Sequence, residues 1–339
     1  MSKVGINGFG RIGRNTLRAA IEKKIFDKLG IVAINDPGMN LEMAAILLEY
    51  DTVMGRFKGE VKVENDSLIV NGKKLRLFAE KNPADIPWKD LGVDIIIESS
   101  GFFTDANKAK AHIDPAGAKK VIISAPAKNE DVTINLGVNE NMYDSSRHNI
   151  VSMASCTTNC LATVAKVLLK EFGIVKGMMT TDHAYTSSQK LLDAPDHKHI
   201  RRGRAAAQNI VPASTGASEA TELVLPELRG KLDAIALRVP VADASIIDFV
   251  VLTEKSVTVD SVNQAFKRAS EGELRGIMGY SEKPLVSSDF IGSHYSSIVD
   301  SELTRTLGDN MVKVLAWYDN EMGYSTRLAE FAVFMIERL

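Results

Sequence analysis

Gly8-Phe9-Gly10-Arg11-Ile12-Gly13 decides how this chain is read. The string matches G-x-G-x-x-G, a weak signal alone. Here it follows the apolar run 4–7 and opens a helical pattern over 11–24. In that setting the glycines let the backbone approach a pyrophosphate, whose charge sits at the positive end of the helix. Asp36 closes the next apolar run, 31–35. A carboxylate there accepts hydrogen bonds from an adenosine ribose and repels a 2′-phosphate. The alternative is a tight turn with a capping Asp.

Outward from the loop, a helical stretch at 41–50 precedes an alternating segment at 61–78 that carries the hairpin signal Asn71-Gly72. Short apolar runs at 93–99 and 121–124 flank a helical pattern at 105–113. Strands alternating with helices predict right-handed βαβ units and a parallel sheet. The character changes near Ser155. After a helix at 161–172, longer β-type runs at 235–239, 245–253 and 311–318 suit a mixed or antiparallel sheet, with a helix at 259–272 against it. A terminal amphipathic helix spans 325–339, and the stretches 193–204 and 280–297 have no clear period. The expected fold is α/β: a Rossmann-type dinucleotide-binding domain over 1–155 plus a C-terminal helix at 320–339, and an α+β catalytic domain over 156–319 built on a mixed, largely antiparallel sheet.

The 339 residues suffice for about two domains at roughly 150 residues each. With 41 Lys and Arg against 43 Asp and Glu, the net charge is −2, which argues against a dedicated nucleic-acid binder. No apolar run is long enough to span a bilayer, and the N-terminus enters an apolar strand without a signal-peptide pattern. Two cysteines, Cys156 and Cys160, exclude a disulfide-built scaffold and read as free thiols in a reducing compartment. The expectation is a soluble cytoplasmic protein without a membrane partner.

Ser155-Cys156-Thr157-Thr158-Asn159-Cys160 leads into a helical pattern, so Cys156 lies near a helix N-terminus, where the dipole favours a thiolate nucleophile. Cys160, a turn further in, reads as buried and inert. Of six histidines, His183 ends a β-type run and is the candidate base, with a core role as the alternative. Neither zinc spacing nor an H-E-x-x-H helix occurs, so no metal site is expected.

These residues carry a resemblance. The chain resembles the phosphorylating glyceraldehyde-3-phosphate dehydrogenases over nearly its whole length, most specifically in Ile6-Asn7-Gly8-Phe9-Gly10-Arg11-Ile12-Gly13-Arg14, Ala154-Ser155-Cys156-Thr157-Thr158-Asn159-Cys160, Ser214-Thr215-Gly216-Ala217, Arg238-Val239-Pro240 and Trp317-Tyr318-Asp319-Asn320-Glu321. The resemblance implies a homotetrameric glycolytic enzyme that uses NAD, glyceraldehyde 3-phosphate and inorganic phosphate. It implies Cys156 as nucleophile and His183 as base, with a thiohemiacetal oxidised to a thioester that phosphate then cleaves. The oxyanion would be held by the Cys156 N–H and His183. Thr186 and Arg238 match the pocket for the substrate phosphate; Ser155, Thr157, Thr215 and Gly216 match that for inorganic phosphate. Arg202 joins one of the two or belongs to a solvated face or subunit contact. On the cofactor side, Gly8, Gly10 and Gly13 form the loop, Arg11 and Ile12 give backbone N–H groups and Asp36 is the ribose acid. Lys81 and Ser124 match adenine- and ribose-side contacts, Asn320 the carboxamide holder, and Tyr324 packs near the nicotinamide or is a core aromatic.

The chain also departs from the family. Asp182 stands beside His183 where an aliphatic residue is usual; in an alternating run its side chain faces away from His183, and a through-space effect would still raise the His183 pKa. Glu219 replaces a common Lys, Val241-Ala242-Asp243-Ala244 replaces a usual Pro/Thr-x-Asn-Val string, and Lys81 stands for a common Arg. Asp36-Pro37 and Pro195 point to NAD, whereas Ala194 occurs in members that accept NADP; the Asp36 carboxylate favours NAD. Two alternatives remain at this point: an erythrose-4-phosphate dehydrogenase, which the full set of phosphate-binding hydroxyls disfavours, and a cofactor-free thiol hydrolase, which the glycine loop with Asp36 disfavours.

Overall fold

The computed structural model describes residues 2–339. The chain divides into two compact units, one of Met1–Ile134, Glu140–Ala154 and Ser325–Leu339, the other of Asn135–Asn139 and Ser155–Tyr324.

The first unit is built from β1 (Val4–Asn7), α1 (Arg11–Glu22), α2 (Phe26–Leu29), β2 (Ile31–Asn35), α3 (Leu41–Glu49), β3 (Val61–Glu64), β4 (Ser67–Val70), β5 (Lys73–Phe78), α4 (Trp88–Leu91), β6 (Ile95–Glu98), α5 (Ala106–Ala109), β7 (Lys120–Ile123), β8 (Val132–Thr133) and β9 (Ile150–Ser152). They form one nine-stranded sheet in the order β3-β4-β5-β2-β1-β6-β7-β9-β8, parallel except at β3-β4-β5. Every residue of β1, β6 and β7 is buried, as a parallel sheet covered on both faces requires. From β1 the chain turns to β2 on one side and later reaches β6 on the other. That reversal opens a crevice at the carboxyl ends of β1 and β6. The segment 61–78, read as one hairpin, makes two turns. Asn71 and Gly72 have φ of 48° and 76°, suiting a primed turn, and Asn65 at 51° makes the other.

The second unit contains α6 (Cys156–Phe172), β10 (Lys176–Ala184), β11 (Val211–Ser214), α7 (Ala217–Val224), β12 (Leu232–Val239), β13 (Ser245–Leu252), α8 (Val259–Glu271), β14 (Met278–Ser281), β15 (Ser297–Asp300), β16 (Arg305–Leu307), β17 (Met311–Tyr318) and the start of α9 (Met322–Ile336). Its sheet runs β11-β12-β10-β13-β17-β15-β14, with β16 beside β17, and is antiparallel except at β10–β12 and β14–β15. The fold class is therefore the expected one. Strands β13 and β17 alternate: Ile247, Phe249, Val251, Val312, Val314 and Ala316 point inward onto Leu161, Val164 and Leu168 of α6 and Phe266 of α8. Thr181 pairs with Ile247 and Asp182 with Ile246, which sets His183 and Thr181 on the core face and Asp182 on the other. Helix α6 begins five residues earlier than its apolar pattern, because the Ser155 hydroxyl accepts the Thr158 N–H and caps it. Likewise the Asp319 carboxylate accepts the Glu321 and Met322 N–H groups, starting α9 before the apolar stripe does. Among the described residues no helix is long and apolar enough to cross a membrane.

Candidate active site

Cys156 is the first residue of α6, and His183 is the penultimate residue of β10. The two come together with Sγ 3.4 Å from Nε2. Ala154, just before the cap, holds a strained φ of 52°, a cost tolerated where surrounding structure fixes the turn. The imidazole is held on both sides. Nδ1 lies 2.7 Å from the Ala184 carbonyl, and the Tyr318 ring meets it edge-on with centroids 6.0 Å apart. Tyr318 is pinned in turn, its hydroxyl 2.9 Å from Thr157 Oγ1 and 2.8 Å from Thr181 Oγ1. Cys160 is fully buried and both cysteines are free.

Burial penalises either charge alone, pushing the Cys156 thiol up to about 11 and the His183 imidazole down to about 3. Moving the thiol proton to Nε2 is different. It creates both charges at once, in contact and beside the α6 N-terminus, so the pair titrates as a unit. Asp182 faces away from the core, as alternation predicts, but the expected upward effect is corrected: His183 is shifted downward by burial and by Arg238. Asp182 itself is raised by burial and by Asp248.

Arg238 on β12 places Nη1 2.8 Å from His183 Nδ1 and 3.1 Å from the Ala184 carbonyl. It is largely desolvated, and Arg202 acts on both it and His183 electrostatically. The Nε atoms of both arginines are buried without a partner. Among the described residues neither has an ion-pair partner. Two uncompensated guanidiniums beside a thiol–imidazole pair attract a dianion. Ser155 and Thr157 lie on the first turn of α6. Thr215 accepts the Ala217 N–H through Oγ1, and Gly216 opens α7 with space where a Cβ would stand. Thr186 pairs with Ser188, 2.9 Å between hydroxyl oxygens. Asn320, in the turn before α9, accepts a hydrogen bond from Ser245 Oγ at 2.6 Å through Oδ1, which leaves its amide N–H₂ to donate. Tyr324 is buried, and burial first and then Cys156 raise its phenol.

The first unit holds a separate cavity of about 630 Å³ at the switch point, walled by Asn7, Gly8, Gly10, Asp36, Lys81 and Phe102 among others. Gly8 has φ 92° and a Cβ there would meet the Ser100 nitrogen at 2.4 Å, whereas nothing lies within 4 Å of one at Gly10. A Cβ on Gly13 would meet the Gly8 carbonyl at 2.2 Å, so that glycine serves loop packing. No side chain caps the N-terminus of α1 at Gly10. The Arg11 guanidinium is held by Asp51, so its backbone is what faces an anion. The Asp36 carboxylate accepts the Phe9 and Gly38 N–H groups, which tie loop to turn and leave lone pairs for ribose hydroxyls. A cradle with an uncapped helix end, a carboxylate and an exposed Phe102 ring fits a dinucleotide. Ser124 ends the β7 stretch, its N–H on the Glu98 carbonyl, outside the cavity lining.

Beneath this floor lies a network the sequence did not signal. Glu98 accepts from Asn7 Nδ2 at 2.5 Å, His112 Nε2 at 3.0 Å, and the Ser100 N–H and hydroxyl. The Trp88 indole donates to His112 Nδ1 at 3.1 Å, so Nε2 carries the hydrogen given to Glu98. Asn35 Nδ2 completes the chain on Asn7 Oδ1. Among the described residues no group of three or more His, Cys, Asp or Glu could hold a metal.

Residues 2–106 match the family model described as glyceraldehyde 3-phosphate dehydrogenase, NAD binding domain, and residues 155–320 match that of the C-terminal domain. Glyceraldehyde-3-phosphate dehydrogenase 2 of Streptomyces avermitilis is 55% identical over 337 residues, covering 99% of each chain. Glyceraldehyde-3-phosphate dehydrogenase 1 of Bacillus cereus is 53% identical over 338 residues, covering 100% of this chain and 99% of its own. The Geobacillus stearothermophilus enzyme is 53% identical over 336 residues, covering 99% and 98%.

Proposed function

This chain belongs to the glyceraldehyde-3-phosphate dehydrogenase family, and from that premise we propose which of its residues perform the NAD-dependent reaction. The observation that carries the reading is the Cys156–His183 pair, 3.4 Å apart at a capped helix N-terminus beside two arginines that have no ion-pair partner among the described residues. With His183 protonated at Nδ1, that hydrogen goes to the Ala184 carbonyl, Arg238 Nη1 donates to the same carbonyl at 3.1 Å rather than to Nδ1, and the Nε2 lone pair turns to sulfur. In that tautomer Nε2 takes the thiol proton, and the thiolate attacks the aldehyde carbon to form a thiohemiacetal. The new oxyanion accepts from the Cys156 N–H and from the imidazolium, donors that can lower the barrier by about 3 kcal/mol each. Arg238 and Thr186 hold the substrate phosphate. Ser155, Thr157, Thr215, Gly216 and Arg202 hold inorganic phosphate, which attacks the thioester and expels the Cys156 thiolate.

NAD, when bound, supplies the hydride acceptor. Gly8, Gly10 and the Arg11 and Ile12 N–H groups receive its pyrophosphate, Asp36 its ribose, Lys81 and Ser124 the adenosine side, and Asn320 its carboxamide, with Tyr324 alongside. The test is the initial rate of NADH formation from glyceraldehyde 3-phosphate with and without phosphate. We expect a strong dependence; a rate indifferent to phosphate or arsenate removes phosphorolysis and points to thioester hydrolysis.

In keeping with its family we place the protein in the cytoplasm as a homotetramer. The second unit leaves Met178, Ile200, Ile210 and Ile235 exposed, side chains that subunit contacts would cover. Sedimentation equilibrium is expected to give four times the chain mass, and a single-chain mass would refute the tetramer.

A further inference from the structure

Asp243, in the link from β12 to β13, is 1% exposed, and among the described residues neither carboxyl oxygen meets a hydrogen-bond donor. The Ala244 N–H faces it without reaching hydrogen-bonding geometry, and Ala244 is itself strained at φ 66°. The one group within hydrogen-bond reach is another carboxyl, that of Asp319. Asp319 is well supplied, accepting from Gly292 N–H at 2.7 Å, Glu321 N–H at 2.8 Å and Met322 N–H at 2.6 Å. Two buried carboxylates in contact cannot both be ionised, and the one without donors is the one that keeps the proton.

We propose that Asp243 is a neutral acid in the working protein, donating its proton to the Asp319 carboxylate, and that this acid pair is the positioning device that presents Asn320. The proposal rests on the reading of Asn320 as the carboxamide holder. The geometry gives the connection. Asp319 fixes the turn that carries Asn320, and Ser245, two residues beyond Asp243, fixes the Asn320 side chain from the other side at 2.6 Å. Ser245 Oγ also accepts the Ala184 N–H at 3.0 Å, joining the turn to the strand that bears His183. The titratable groups facing Asp243 are Asp319 and Glu321 from the turn and Cys156 from α6. Burial disfavours a second negative charge most, and Asp319 and Glu321 add to it, raising Asp243 to about 9. An ionised Asp243 would in turn oppose the Cys156 thiolate. The proton therefore both closes the turn and keeps a charge away from the sulfur.

The test compares the wild type with Asp243→Asn and Asp243→Ala in the full chain. NAD dissociation constants are read by thermal shift from neutral to alkaline pH, and the protonated-carboxyl stretch by infrared spectroscopy. The wild type should show that band at neutral pH, lose it as pH rises through about 9, and weaken its NAD binding in step by up to tenfold per pH unit. Asn keeps a donor but cannot ionise, so Asp243→Asn should lack the band and bind NAD evenly across the range. Asp243→Ala should bind more weakly at every pH. An alkaline loss of affinity that persists in Asp243→Asn overturns the proposal. So does absence of the band from the neutral wild type, a result that does not depend on any variant folding. Failure of the wild type to bind NAD at neutral pH would instead sink the dehydrogenase reading and leave the infrared result to be judged separately.

Discussion

Cys156→Ala is expected to bind NAD like the wild type and to form no NADH from glyceraldehyde 3-phosphate. The two halves of this result come from different parts of the chain. The dinucleotide cavity is walled by residues of the first unit, from Asn7 to Phe103, and none of its hydrogen bonds involves the thiol. The chemistry requires the sulfur to be bonded to the substrate carbon while the hydride leaves, and alanine offers no electron pair. Loss of a nucleophile that works as one unit with its base costs on the order of 10⁴-fold or more. Removing one half-buried sulfur should cost the fold only about 1 kcal/mol, so the melting temperature separates inactivity from unfolding. Steady-state assay with a parallel NAD titration checks both halves. Phosphate-dependent turnover by the purified variant would show that another group is the nucleophile.

His183→Asn is expected to lower kcat/KM by roughly 10²- to 10⁴-fold, the ordinary worth of a positioned base. Its clearer signature is the pH dependence of Cys156 alkylation by iodoacetamide. With His183 present the sulfur can hand its proton to Nε2 at 3.4 Å, and the thiolate exists at neutral pH as half of a neutral pair. Without the imidazole the thiol ionises alone. Burial then holds it up, toward about 11, so its reactivity should rise only at strongly alkaline pH. The sign is fixed: deprotonation makes the charged form, and burial disfavours it. Rates measured across neutral to alkaline pH should therefore separate the two proteins most at the neutral end. Superimposable profiles would remove His183 from the activation of the thiol.

What the chain reveals before folding follows the distance over which each feature is encoded. The loop Gly8–Gly13 and its helix are contiguous, and Asp36 lies one βα unit on, so string and order were enough. The Cys156 placement was legible because a helix N-terminus is a local event, set by the Ser155 cap. Its partner is legible only in part. His183 reaches the sulfur only through the pairing of β10 with β12 and β13; its place at the end of a β-type run singles it out of six histidines as the candidate base but leaves a core role equally open. Longer-range devices left still less trace. Glu98 gathers Asn7, His112 and Ser100 from across the sheet, and Tyr318 bridges Thr157 and Thr181 from β17. Phe102 and Ser99 could have been suspected, since they follow a strand that ends at the switch point. Asp243 stood out in the sequence only as a departure from a family string. Its meaning depends on Asp319, which folding alone brings beside it.

If the sulfur of Cys156 forms and then releases an acyl bond, that bond can be trapped. The protein is mixed with NAD and glyceraldehyde 3-phosphate in phosphate-free buffer, quenched in acid and analysed by peptide mass spectrometry, with and without a brief chase of inorganic phosphate. A phosphoglyceryl adduct is expected on the Cys156 peptide, and the phosphate chase should remove it. NADH formed with no adduct there, or an adduct on another residue that phosphate discharges, would contradict an acyl bond at Cys156.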